Sequence, residues 1–151
     1  MYQKLQAGQA INVIPSDDFN IPSLLLASGL ATSTTSNKLV DSAGSFSNLA
    51  VPSVIHNTTD GTIAGVTAVD SATQLSLSAD IMASGESYSI YAVRDNEPCV
   101  LYIGTGGSLR VKTAAGDIVT FTNIPDGMFF PVQVIQVFST GTDASGIIAL
   151  R

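Results

Sequence analysis

His56 is the only histidine of the chain and Cys99 its only cysteine, so nucleophilic or metal chemistry must start from these two residues or from the carboxylates. Acyl transfer needs a serine beside an oriented base and an oxyanion hole. His56 follows Val54-Ile55 and precedes the turn Asn57 to Gly61, a position near a strand end, and no G-x-S-x-G elbow surrounds any serine. One Cys and one His cannot close a tetrahedral zinc site. Cys99 opens the apolar run Cys99-Val100-Leu101-Tyr102-Ile103, which reads as a buried strand, so its thiol is expected to be structural. Asp17-Asp18 and Asp95-Asn96-Glu97 offer oxygen ligands for calcium, but neither has EF-hand spacing or a Gly-Asp repeat. Glycoside hydrolysis needs two acids across a cleft with aromatic platforms, and the chain has no Trp. Gly104-Thr105-Gly106-Gly107 leads into the strand pattern Ser108-Leu109-Arg110-Val111, where a phosphate loop needs a helix N-terminus. These residues point to no enzyme, no cofactor and no metal.

The elements that carry them are expected to be strands. Of 151 residues, 45% are hydrophobic and only 12% charged, with two Glu and three Lys in all, too few to coat long exposed helices. A net charge of -6 argues against nucleic acid, which needs clustered cations. Arg110 and Lys112 alone stand close, on one face of a strand. So few charges suggest a surface covered by other protein copies. Met1-Tyr2-Gln3-Lys4 does not open a signal peptide, and the longest apolar cluster, Ile21 to Leu30, is broken by Pro22, Ser23, Ser28 and Gly29. Neither a membrane partner nor export is expected, and folding in a host cytoplasm is.

Strand signals run along the whole chain. Ala10 to Ile14 ends at Pro15-Ser16-Asp17-Asp18; Ile21 to Ala27 is a strand or a single helical turn; Ser28 to Ser36, small and uncharged, reads as a linker. Lys38 to Asp41, Val54 to Asn57, Thr62 to Val69, Gln74 to Ser78 and Tyr88 to Tyr91 follow, with Asp60-Gly61 as a hairpin turn. A second series comprises Val100 to Ile103, Ser108 to Thr113, Ile118 to Asn123, Pro131 to Ser139 and Ile147 to Leu150. Gly106-Gly107 and Ala115-Gly116-Asp117 are placed for hairpin loops, and Gln133 and Gln136 mark a bulge in a central strand. Residues 1–27 hold too little apolar material to fold alone. The expected fold is all-β: a discontinuous, jelly-roll-like β-sandwich of 1–27 and 93–151, interrupted by a small SH3-like β-barrel of 28–92.

The runs Leu101 to Val111 (LYIGTGGSLRV), Gly116 to Gly127 (GDIVTFTNIPDG), and Phe130-Pro131-Val132-Gln133-Val134 through Thr140-Gly141-Thr142 to Leu150 resemble phage and gene-transfer-agent spike-base proteins. Val13-Ile14-Pro15-Ser16-Asp17 is similar to the short N-terminal segment of that family, whereas 37–91 departs from its short members as an inserted β-module. The resemblance implies a virion structural protein, a capsid-surface decoration or spike-base component. Its partners would be itself, as a trimer or pentamer, and the major capsid protein or a neighbouring virion protein. Candidate subunit contacts are Met128, Phe129 and Phe130, an apolar stretch after a turn, and Tyr2 and Leu5 of the N-terminal arm. Met128 to Phe130 reads equally as ordinary core. The alternative is a tail or fibre adaptor that binds glycans, with Tyr88, Tyr91 and Tyr102 to stack on sugars. A small hydrolase is the third reading, and it lacks a catalytic set.

Overall fold

A computed structural model of the chain describes residues 7–94 and 97–151. The described part is all-β, without a helix, and is built on two antiparallel six-stranded sheets, one of them a curled half-barrel. Contacts divide the chain into two compact units, one running up to Ile21 and resuming at Arg94, the other spanning Pro22–Val93.

The first unit contains β1 (Ala10–Asn12), β8 (Cys99–Thr105), β9 (Gly107–Thr113), β10 (Ile118–Ile124), β11 (Met128–Val137) and β12 (Ser145–Leu150), in the sheet order β1-β12-β8-β11-β9-β10. Period-two alternation builds its core: Leu101, Ile103, Leu109, Val111, Phe130, Val134, Val137, Ile147 and Ala149 all point inward. β11 is the hinge of the sheet. Its first half pairs with β8 and its second with β9, and the register shifts between Phe130 and Val134 and again between Val134 and Gln136. The bulge expected from Gln133 and Gln136 is therefore present. Gln136 is buried and donates from Nε2 to the carbonyls of Ser16 and Asp17, at 2.9 and 3.1 Å.

The second unit contains β2 (Leu25–Leu30), β3 (Lys38–Val40), β4 (Ser53–Asn57), β5 (Thr62–Ser71), β6 (Gln74–Leu77) and β7 (Ser87–Ala92), in the order β2-β7-β4-β5-β6-β3. The chain leaving β2 crosses to β3, where Thr32 N–H donates to the Val40 carbonyl and Ser33 bridges Val40, so the two outer strands are linked. Phe46, Leu39, Ile55, Val66, Leu75 and Ile90 fill its core.

Three expectations are corrected. The stretch Ser28 to Ser36 is no linker: Ser28, Gly29 and Leu30 belong to β2 and pair with β7, so 22–27 go with the second unit, not with the first. The small residues there mark close packing, since a Cβ on Gly29 would lie 2.7 Å from both Asp41 Oδ2 and Tyr88 Oη. Gly106-Gly107 makes no hairpin either. β11 lies between β8 and β9, and Gly106 passes so close to the Ile124 carbonyl that a Cβ would meet its oxygen at 1.8 Å. Pro131 to Ser139 starts too late: β11 begins at Met128, because Met128, Phe129 and Phe130 continue the ladder with β8.

Candidate assembly surface

Strand geometry separates the apolar stretch that opens β11. Phe130 points inward, is 3% exposed and meets Phe121 edge-on with ring centroids 4.9 Å apart, so in this chain it is core. Met128 packs against the same core from its rim. Phe129 points outward and is 54% exposed. Tyr2 and Leu5 lie outside the described residues.

Phe129 is not isolated. Its Cα partner on β8 is Tyr102, 39% exposed, and the partner of Tyr102 on β12 is Ile148. Two residues along the strands, Val100 faces Leu150, which faces Ala10 of β1. Paired residues share a face, so Phe129, Tyr102, Ile148, Val100, Leu150 and Ala10 form an apolar array on the side opposite the core. An antiparallel sheet with one solvated face normally carries polar residues there; here the polar member of the row is Asn12, paired with Ile148 at its end. Sequence reasoning found Phe129 but missed Tyr102 and Ile148 as its neighbours. Cross-strand register was the missing information, although the outward alternation of Val100, Tyr102, Ile148 and Leu150 was legible.

The residues weighed for chemistry have the following surroundings. Cys99 is buried, its Sγ 3.5 Å from the Val134 carbonyl, and burial pushes its thiol up to about 11. His56 sits near the end of β4, one residue before its last, with its ring 4.9 Å from that of Tyr91; burial lowers its pKa to about 4. Asp17 ties the N-terminal arm to the segment after β11: its carboxylate accepts the Thr140 amide at 3.0 Å and the Thr140 hydroxyl at 2.6 Å, which hold its pKa below the ordinary value. Asp95 and Asn96 lie outside the described residues. Among the described residues no three His, Cys, Asp or Glu side chains gather where they could hold a metal ion. Gly106 N–H donates to Asp126 Oδ1 at 2.7 Å, closing the glycine run onto a turn. Arg110 stacks over Phe138 at 4.9 Å from the ring centroid, on the outer face that it shares with Lys112. Of the tyrosines considered as sugar platforms, Tyr88 is buried with its hydroxyl 2.6 Å from Asp41 Oδ2, and Tyr91 packs on His56. Only Tyr102 is open.

No protein-family model, curated protein or solved structure matches this chain.

Proposed function

We propose that the protein is a non-enzymatic structural component of a virus particle, a β-rich block that assembles with copies of itself on the capsid surface, as a decoration or spike-base subunit. The apolar array around Phe129 and Tyr102 carries the assembly part of this reading. It is uncharged in a chain of net charge -6, so copies that repel elsewhere can meet there without opposing charges. The virion setting rests on the resemblance of β8 to β12 to spike-base proteins. In this reading the first unit is a jelly-roll-like sandwich that forms the ring, as a trimer or pentamer, and the second is an SH3-like module that contacts a capsid or virion neighbour.

Sedimentation of the full chain at micromolar concentration tests it. Wild type should sediment as a closed oligomer, and Phe129→Asp as a folded monomer with an unchanged circular dichroism spectrum. A monomeric wild type overturns the reading. The exposed pair Tyr102 and Phe129 also favours a second reading, a glycan-binding adaptor of a tail or fibre, because aromatic faces stack on sugar rings. Specific signals on a glycan array, lost in Phe129→Asp, would select that alternative.

A further inference from the structure

Four strands lie at the outer positions of the two sheets, and three of them are blunted. β1 has only three residues. β3 is equally short and bridged by Ser33. β2 carries a bulge between Leu25 and Ala27 and runs on into Thr32 and Ser33, which bond to Val40 of β3. β10 has seven residues, Ile118-Val119-Thr120-Phe121-Thr122-Asn123-Ile124, with no charge and no proline, and it pairs on one side only, with β9. Its regular part ends where the register shifts after Phe121 and Asn123 takes a φ of 56°. Natural edge strands normally carry a charge, a proline or a cover that prevents pairing. Much of the strand is open as well: Ile118 is 53% and Val119 39% exposed, and Thr120 and Thr122 are exposed too, while Phe121 packs on Phe130.

The geometry points to β10 pairing antiparallel with β10 of a second copy, about a two-fold axis through Thr120, so that the two six-stranded sheets become one. This contact goes beyond the ring surface around Phe129. Pairing with β9 sorts the strand into faces: Ile118 and Thr120 oppose Lys112 and Arg110 on the outer face, and Val119 and Phe121 oppose Val111 and Leu109 on the inner face. A two-fold axis perpendicular to the sheet keeps like faces together. With the axis at Thr120, the two threonines face each other, Val119 meets Phe121 of the other copy twice, and Ile118 meets Thr122 twice. Thr–Thr and aromatic–β-branched pairs are among the favourable cross-strand combinations. The two Asp117 residues, each just before β10, would lie roughly 20 Å apart along the strands, so no carboxylates collide. The Arg110 side chains stand three strand spacings apart, roughly 14 Å, beyond the screening length of about 10 Å in ordinary buffer. An isologous contact of this kind closes on itself and does not propagate into a fibre.

Intermolecular cross-linking tests the register directly. Directly opposed residues have Cα atoms about 4.5–5.5 Å apart, which a disulfide can span, so Thr120→Cys should oxidise to a covalent dimer. Ile118→Cys should not, since its two copies would lie roughly 13 Å apart along the strands. Cys99 is buried and leaves the readout to the introduced thiol. Thr120→Lys places two cations face to face at an exposed position and should weaken the two-fold association by about tenfold or more. Equal cross-linking of the two cysteine variants, absence of cross-linking in Thr120→Cys, or a mass unchanged by Thr120→Lys overturns the contact. An odd-numbered ring that Thr120→Lys leaves intact sinks the two-fold contact and keeps the proposed assembly; a monomeric wild type sinks both. Association only with an added extended peptide would make that peptide, not a second copy, the occupant of the edge.

Discussion

The two units solve the same packing problem with different chemistry. The first has an apolar core and leaves both an apolar face and a bare strand edge open to solvent. The second also exposes large apolar side chains, Leu25 and Leu30 of β2 among them, and pins itself with buried polar groups. The Tyr88 hydroxyl donates to Asp41 Oδ2 at 2.6 Å, and Asn57 donates from Nδ2 to the Ile81 carbonyl and to Glu86 at 2.7 and 2.8 Å. Asn57 Oδ1 also accepts the amides of Thr59 and Asp60, which shapes the hairpin before Gly61. The pairing raises the pKa of Asp60, through its hydrogen bond to Glu86, while the Ala83 amide lowers that of Glu86. Apolar burial is non-directional, whereas buried polar pairs require one arrangement. In the first unit Gln136, which donates to the carbonyls of Ser16 and Asp17, plays the same directional part.

Two glycines give the sharpest contrast. In Gly106→Ala the new Cβ collides with backbone, the Ile124 carbonyl, and the first unit should lose about 3–5 kcal/mol in urea denaturation. In Gly29→Ala it meets the side-chain ends of Asp41 and Tyr88, which can shift, and about 1–3 kcal/mol is expected from the second unit. The reverse order would mean that the polar pair is the more rigid obstacle.

Acid should separate the units next. His56 Nε2 is buried without a hydrogen-bond partner among the described residues, and its pKa falls from 6.5 to about 4 on folding. Between those values the unfolded chain binds more protons, so stability decreases as pH drops from about 6.5 to about 4, by on the order of 3 kcal/mol. The first unit contains no histidine. Hydrogen exchange at pH 7 and pH 4.5 should show protection lost in β4, β5 and β7 before it is lost in β8, β9 and β11, and His56→Gln should flatten that pH dependence.

Tyr88→Phe removes the hydroxyl and strands one oxygen of buried Asp41, at a cost of about 1–3 kcal/mol read from the thermal midpoint. A still smaller change is expected for Asp17→Asn. Its lowered pKa means that the stabilisation by Thr140 is present at neutral pH and is lost as pH falls through the folded-state value, so the variant should match wild type in strong acid and trail it slightly at pH 7.

Much of the strand content was legible because each turn declares itself locally. Asp60-Gly61 and Ala115-Gly116-Asp117 turn where they were expected, with Gly61 and Gly116 at φ values of 71° and 96°. Gly106-Gly107 misled because a glycine needed for a close crossing looks like one needed for a turn. Ser28 to Ser36 misled for a related reason: small residues that let Tyr88 and Asp41 approach have the composition of a linker. Phe129 was visible as a candidate contact, but its separation from Phe130 depends on which face β11 presents to β8.

Composition and alternation by themselves determined an all-β chain, poor in charge, with one thiol and one imidazole. Period-two patterning is a local property, and so are turn preferences. Only the tertiary structure decided that β11 joins two ladders, that Tyr102 and Ile148 stand beside Phe129, and that β10 is an unprotected edge. Strand order and register depend on contacts between residues far apart in the chain, and the alternation of a single strand shows which residues share a side without showing what lies beyond it.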